Sequence, residues 1–451
     1  MFVFSAINLW CTKNLVDSQY LIWKLLSYQS SNDKEELNYI SDPYNEKVEY
    51  VFLNTCWFLS TWRMEMMDVL KKLLDAWKKV YILWCAVQYF NLGTKQNKDY
   101  EKELKEFEDF MVRNEWKLFL LSWDDIDHIS VNKLKKWYIS KEFKDFKFPT
   151  SVRAYTNAYY GYEYLKIAEW CNNSCSFCII PKIRWKQKSL EIEKIIERAK
   201  DMVENGVKEI IIISQDTTRY WIDLYGENRF FELLKKIDHI KWDFVYRVLY
   251  LYPDVITLKH LEKLKKLKKF LPYFDIPLQH ISSNVLKKMW RFYDTDYIYK
   301  FLDYIKNNFK WCFIRTNIIV WFPGETEEDF QELLDFIKKD YFNNIALFQY
   351  HDEPLAASSK LPWKIDDKTL NKRFSIISKL VDDILEKSNK KRQQEEQFGY
   401  ITVMWENLIK VRPYLHCPEI DEEDKVEIKR ILWVYNEDGT LNIWEMVKYK
   451  M

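Results

Sequence analysis

The chain has 451 residues, 48% of them apolar, and a formal net charge of +1. That apolar content supports about two to four packed domains, and the balanced charge excludes the global basic field of a nucleic-acid-binding protein. No apolar run is long enough to span a bilayer. The start, Met1-Phe2-Val3-Phe4, lacks the charged opening of a signal peptide. Eight cysteines in so long a chain read as metal ligands of a cytoplasmic protein rather than a secreted disulfide framework.

Residues 1–135 alternate strand and helix. Phe2–Asn8 predicts a strand leading to Cys11, Asn14–Ser27 a helix, Glu49–Thr55 a strand ending at Cys56, Arg63–Trp77 a helix, and Val80–Leu83 a strand leading to Cys85. Parallel sheets gather functional loops at their strand C-termini. Cys11, Cys56 and Cys85 can therefore converge, although 45 and 29 residues separate them. Three unrelated core cysteines are the plainer alternative.

Residues 136–156 lack periodicity and read as a linker. Residues 157–390 then show six predicted strands: Glu163–Ala168, Glu209–Ser214, Phe244–Leu249, Tyr273–Leu278, Phe313–Val320 and Ile345–Tyr350. Helices are predicted at Glu191–Glu204, Asn228–Ile237, Leu258–Phe270, Tyr297–Asn308 and Glu327–Lys339. The alternation predicts a parallel barrel or partial barrel with its chemistry at the strand C-termini. The lysine-rich stretch in Leu258–Phe270 reads as a solvated helix face. Residues 391–451 predict a small β-domain.

Cys171-Asn172-Asn173-Ser174-Cys175-Ser176-Phe177-Cys178 lies just beyond the first barrel strand. Cysteine thiolates hold four-iron clusters, and three ligands on four irons leave one iron open to a substrate or cofactor. A structural zinc site wants four ligands, and no fourth Cys or His follows nearby.

The composition holds an anomaly: 20 Trp and only 7 Gly. Gly averages about 7% of residues, so roughly thirty are expected. Trp10, Trp57, Trp84 and Trp170 flank Cys11, Cys56, Cys85 and Cys171. Loops beside a cluster need the backbone freedom that Gly supplies and Trp does not. The pattern implies a sequence written with the standard code from an organism that reads UGA as glycine, so that many of these tryptophans are glycines in the living protein.

Taken together, the chain resembles the radical S-adenosylmethionine (SAM) methylthiotransferases from end to end. The resemblance is carried by Trp10-Cys11-Thr12-Lys13-Asn14-Leu15-Val16-Asp17-Ser18, Asn54-Thr55-Cys56, Trp84-Cys85-Ala86 and the Cys171–Cys178 motif. Further matches are Ser214-Gln215-Asp216-Thr217-Thr218, Leu251-Tyr252-Pro253, Pro277-Leu278-Gln279-His280 and Phe322-Pro323-Gly324-Glu325-Thr326. The resemblance implies an N-terminal α/β methylthiotransferase domain (1–135), a partial (βα)6 radical SAM barrel (157–390) and a C-terminal small β-barrel, the TRAM domain (391–451).

The resemblance also implies two [4Fe-4S] clusters. Cys171, Cys175 and Cys178 would hold the one that binds S-adenosylmethionine. Cys11, Cys56 and Cys85 would hold an auxiliary cluster that delivers sulfur. Phe177, Gln215 and Asp216 would line the cofactor, with loop capping an equal possibility for the last two. Cys312 and Cys417 read as structural, and His280 receives no role. Flavodoxin or ferredoxin would supply electrons.

One branch of the family modifies an adenosine of transfer RNA, the other an aspartate of small-subunit ribosomal protein twelve. Asn14–Ser18, Gln215–Thr218 and Pro418-Glu419-Ile420-Asp421 resemble the second branch. Across Tyr400–Leu441, nine acids face five bases, so this domain should repel RNA and attract a basic protein. A non-enzymatic iron–sulfur or zinc scaffold, or a degenerate chain, is the remote alternative if the tryptophans are genuine.

Overall fold

The computed structural model describes residues 2–9, 12–31, 37–56, 60–83, 85–87, 101–121, 161–183, 186–362, 364, 366–436 and 440–451. Cys11 and the predicted linker lie outside them. The chain forms two compact units. One comprises Met1–Thr156, Glu169–Leu190 and His351–Ser359, the other Asn157–Ala168, Glu191–Tyr350 and Lys360–Met451.

In the first unit, β1 (Phe2–Asn8), β2 (Leu37–Tyr39), β3 (Tyr50–Asn54), β4 (Lys79–Leu83) and β5 (Leu118–Leu121) form a parallel sheet of order β2-β1-β3-β4-β5. Its strands are apolar on both faces, as a sheet covered on both sides requires. Val51, Leu53, Val80 and Ile82 pack on one face. Phe4, Tyr50, Phe52 and Tyr81 pack on the other. The short edge strand β2, the helix Glu101–Arg113 and β5 add to the elements legible in the sequence.

The second unit holds six parallel strands: β6 (Tyr162–Lys166), β9 (Glu209–Ile213), β10 (Val245–Val248), β11 (Phe270–Gln279), β12 (Phe313–Val320) and β13 (Asn344–Gln349), in the order β13-β12-β11-β10-β9-β6. The two-residue strands β7 (Ala168–Glu169) and β8 (Lys188–Ser189) pair separately. The predicted helix Leu258–Phe270 stops at Leu264, and Phe270 instead opens β11 opposite Tyr246. Strand pairing captured the apolar end of a run that reads as helical in isolation.

The six-stranded sheet must curl. Flat, its edge strands β6 and β13 would lie about 24 Å apart, with side chains standing roughly perpendicular to it. Yet Glu419 accepts a hydrogen bond from Tyr162 of β6 at 2.8 Å, and Asp421, two residues on, accepts one from Asn344 of β13 at 2.6 Å. Only a partial barrel lets one loop reach both edges.

After the 27-residue helix Asp367–Gln393, β14 (Gln397–Met404), β15 (Leu408–Pro413), β16 (Asp424–Glu427), β17 (Ile431–Val434) and β18 (Met446–Tyr449) form an antiparallel sheet of order β16-β15-β14-β18-β17. It encloses its own core of Ile401, Ile409, Val411, Val426 and Val447. The fold is thus α/β with a partial parallel barrel and a small terminal β-domain.

The backbone bears on the tryptophan anomaly. Of the eleven described non-glycine residues with left-handed backbone, seven are tryptophan: Trp77, Trp170, Trp221, Trp290, Trp311, Trp321 and Trp444. Gly206, at φ +94°, ends the helix Ile192–Glu204 in a Schellman turn: its N–H reaches the Val203 carbonyl and that of Val207 the Met202 carbonyl. Trp290 ends the helix Ser283–Lys288 in the same way, through Lys287 and Leu286, and Trp77 ends Ser60–Asp75 through Leu74 and Leu73. Gly is the usual residue at that position, and a side chain there costs about 1–2 kcal/mol. Trp290 is 47% exposed, so its removal forfeits part of the ring's burial whatever replaces it. Trp290→Gly is therefore expected to exceed Trp290→Ala in stability by about 1 kcal/mol, read as a higher urea midpoint at an unchanged slope. Peptide mass spectrometry of the native protein should find glycine at these positions, and tryptophan there would end the recoding explanation.

Candidate functional site

In the first unit the strand ends are aligned. Asn8 of β1 pairs with Asn54 of β3, and Asn54 with Leu83 of β4. Cys56 and Cys85 therefore each lie two residues beyond level positions on adjacent strands. Cys11 lies three residues beyond Asn8, outside the described residues.

A buried polar brace holds the end of β3. The Asn54 side-chain amide donates to the Asn14 carbonyl at 2.7 Å and to the Ser18 hydroxyl oxygen at 3.0 Å. Ser18 in turn donates to the Asn14 carbonyl at 3.0 Å. The Asn14–Ser18 motif, read from sequence as a branch signature, thus also fixes the backbone two residues before Cys56. Sequence reasoning assigned Asn54 nothing. Its one signal was an amide side chain closing an otherwise apolar strand.

The Cys171–Cys178 loop belongs to the same unit. The β7–β8 ladder closes its base, and the Asn172 side chain accepts the Gln187 N–H at 2.8 Å. Ile179 and Ile183, just past the last cysteine, are fully buried in the apolar cluster that contains Cys85. The Ser358 N–H donates to the Ser176 carbonyl at 2.8 Å, and the Cys178 N–H to the Cys175 carbonyl at 3.0 Å. Phe177 sits in the resulting turn. Trp170, with φ +64°, starts the loop.

Cys171 is buried, Cys175 and Cys178 are half-buried, and none of the three is in a disulfide among the described residues. The Asn173 N–H points at the Cys171 sulfur at 3.4 Å, a contact that favours a thiolate and is of the kind that tunes cluster potential. Three cysteines outside any disulfide, on an irregular, pinned loop with a backbone donor at one sulfur, fit a cluster-binding site. Among the described residues no three His, Cys, Asp or Glu side chains are arranged to ligate one metal ion. A four-iron cluster instead spreads its thiolates over separate irons.

In the second unit, Gln215 and Asp216 follow β9 directly. Asp216 is buried and caps the turn Thr217–Arg219, accepting from the Thr218 N–H at 3.1 Å and hydroxyl at 2.6 Å and pairing with Arg219 at 3.1 Å. Its observed work is therefore loop capping, and Gln215 is carried on the loop it shapes. Left-handed residues Tyr250, Gln279 and Trp321 mark the C-terminal ends of β10, β11 and β12. Such strain gathers at functional sites.

His280, given no role from sequence, is fully buried beyond β11. Its Nδ1 accepts the Ser282 N–H at 3.0 Å, and its Nε2 lies 3.6 Å from Glu325. Glu325 also takes Arg373 at 2.9 Å and the Trp321 N–H at 2.8 Å. This network braces the Phe322–Thr326 turn at the end of β12. Cys417 is buried and Cys312 half-buried, and burial pushes both thiols up.

The N-terminal mouth of the barrel is plugged by residues 412–421. Each strand contributes. Tyr162 and Tyr164 of β6 bond Glu419, Tyr273 of β11 and Asn344 of β13 bond Asp421, and Phe313 of β12 meets the His416 ring. Glu209 of β9 pairs with Arg412, and Arg247 of β10 donates to the Leu415 carbonyl. Of the acids at residues 419–424, in the domain expected to attract a basic protein, Glu419 and Asp421 are thus engaged by the barrel strands. Asp424 is likewise taken, by Arg392 at 2.7 Å and Tyr449 at 2.6 Å. Within residues 419–424, Glu419, Glu422 and Glu423 are exposed, and of these Glu419 is already bonded to Tyr162 and Tyr164. Carboxylates close to tyrosines and arginines in space need not be close in sequence, so local charge counting overstated the free surface.

Residues 165–337 match the model of the radical SAM superfamily. Across 440 residues the chain is 33% identical to ribosomal protein uS12 methylthiotransferase RimO of Aquifex aeolicus, covering 95% of this chain and 91% of that protein. It is 36% identical over 394 residues to RimO of Dictyoglomus thermophilum (85% and 84% covered), and 32% over 451 residues to RimO of Clostridioides difficile (98% and 95% covered). The full-length match, the cysteine-bearing loops and the parallel partial barrel place this chain in the RimO family of radical SAM methylthiotransferases.

Proposed function

We propose that the chain methylthiolates the β-carbon of an aspartate in ribosomal protein uS12, with S-adenosylmethionine as radical source and methyl donor. The observation that carries this reading is the near-full-length match to uS12 methylthiotransferases, with all six proposed cluster cysteines present. Cys171, Cys175 and Cys178 hold the cluster that binds the cofactor, and Cys11, Cys56 and Cys85 the auxiliary one. When bound, these groups supply radical and sulfur-transfer chemistry at a carbon that acid–base catalysis reaches poorly.

The chain's own residues position and shield. Ile179 and Ile183 anchor the cysteine loop, and Asn14, Ser18 and Asn54 hold the strand end before Cys56. Phe177 and Gln215 line the cofactor, while Asp216 keeps Gln215's loop in shape. The division is 1–135 methylthiotransferase domain, 136–156 linker, 157–390 radical SAM core and 391–451 TRAM domain. The protein works in the cytoplasm with a flavodoxin- or ferredoxin-type donor. None of the described helices is long and apolar enough to cross a membrane.

The test offers one reconstituted enzyme both uS12 and transfer RNA and reads the products by mass spectrometry. Methylthioaspartate in uS12 and unmodified adenosine are expected, and the reverse outcome moves the chain to the other branch. Within residues 419–424, Glu422 and Glu423 are the exposed acids left to meet a basic partner. Reversing both should lower the on-rate and flatten its salt dependence. Reversing Asp424 instead breaks its bonds to Arg392 and Tyr449, and should lower stability as well.

A further inference from the structure

The concave face of the partial barrel carries a guanidinium that the fold leaves partly unused. Along β12, half-buried Arg315, Asn317 and Ile319 alternate with buried Ile314, Thr316, Ile318 and Val320. The first set looks into the barrel, because Arg315 meets Asp275 of β11, two residues after Tyr273, which reaches the plug.

The barrel's other arginine is fully committed. Arg247 donates to Glu209 and to the Leu415 and Tyr414 carbonyls. Arg315 makes one bond, from a terminal nitrogen to Asp275 at 2.8 Å, and its buried Nε–H meets no acceptor among the described residues. Arg373, Arg392 and Arg412 also have Nε groups without an acceptor among the described residues, but both of their terminal nitrogens are anchored. Arg198, bonded like Arg315 at one terminal nitrogen, lies on the helix Ile192–Glu204 and not on a barrel strand. The second Asp275 oxygen accepts the N–H of Tyr250, a left-handed residue, at 3.0 Å. Asp275 is thereby fixed from behind and holds the guanidinium by one corner, leaving the Nε edge open. Two residues nearer the C-terminal end of β12, the buried Asn317 Oδ1 also lacks a partner among the described residues.

A buried guanidinium edge without an acceptor is costly, and its planar fork matches a carboxylate in two-point contact. An aspartyl residue of a peptide offers a carboxylate and a backbone N–H, complementary to an Arg donor edge and an Asn acceptor on one strand face. We propose that Arg315 receives the carboxylate of the aspartate to be modified and that Asn317 accepts from its backbone. Holding the carboxylate fixes the orientation of the adjacent β-carbon. The inference rests on the aspartate reading above and names the residues that would enforce it.

The experiment uses the full chain with both clusters reconstituted. It compares Arg315→Gln, Arg315→Lys and Asn317→Ala on uS12 and on uS12 whose target aspartate is replaced by asparagine. Arg315→Gln should lower kcat/KM for the aspartate protein about 100-fold or more and collapse the preference for aspartate over asparagine. Arg315→Lys should recover part of that preference, and Asn317→Ala should raise KM. A merely structural Arg315 would lower both substrates together, so an unchanged aspartate-to-asparagine ratio overturns the proposal. So does loss of S-adenosylmethionine cleavage by Arg315→Gln when no ribosomal protein is present, which would assign the residue to the cofactor. If Arg315→Gln fails to fold, Asn317→Ala carries the test, and an unchanged KM refutes the pairing. Failure of the unaltered enzyme to modify uS12 would instead fell the functional reading itself.

Discussion

Replacing Cys171, Cys175 and Cys178 together with alanine is expected to abolish S-adenosylmethionine cleavage and to lower bound iron from about eight to about four per chain. The three thiols share one loop, closed at its base by β7–β8 and anchored by Ile179 and Ile183. Their loss should therefore leave the rest of the first unit folded. Replacing Cys11, Cys56 and Cys85 should remove the other four irons, preserve cofactor cleavage and stop sulfur insertion. The two triplets should separate because one lies on a single loop, whereas the other is expected to be assembled from three strand ends. Anaerobic reconstitution, iron counting and detection of 5′-deoxyadenosine read both outcomes. Four irons in the unaltered protein, or zinc in their place, would remove the two-cluster mechanism.

Glu209→Gln is expected to destabilise the second unit by about 3–5 kcal/mol, the cost of leaving buried charge unpaired. Burial alone would push the Glu209 carboxyl up, but Arg247 and Arg412 outweigh it and hold the group below its ordinary value. One Glu209 oxygen takes Arg247 and the other takes Arg412 at 2.6 Å, so a single carboxylate ties β9 to β10 and to β15. Because the folded pKa is depressed, this stabilisation is present above the ordinary carboxyl range and is lost as pH falls through the folded value. Acid unfolding of the natural protein should therefore be steep below about pH 4, and much shallower in Glu209→Gln. Replacing all three members with apolar residues of similar volume should recover most of the loss. A urea midpoint for Glu209→Gln within error of the unaltered protein would show that the triad holds nothing.

Much of this architecture is legible along the chain. Phe2–Asn8 and Phe313–Val320 are strands over the predicted spans. The remaining barrel strands are displaced by a residue or a few, because apolar runs bounded by turns announce buried parallel strands. The edge strand β2, three residues long, carries too little pattern to be read. The helix Asp367–Gln393 hid behind its charge, since a mostly solvated helix shows little apolar periodicity.

By itself the sequence determined the family and singled out the six cysteines and the glycine-like tryptophans as candidates, since each is a matter of residue identity at fixed spacing. Only the tertiary structure decided how polar groups are spent. Glu419 and Asp421 bond tyrosines more than a hundred residues away, Asn54 is held by Asn14 and Ser18, and Arg315 keeps an open edge while Arg247 does not. Those assignments follow from strand register and from the curl that brings β6 and β13 to one loop. Both are long-range properties, set by which strands pair, and no local spacing of charges encodes them.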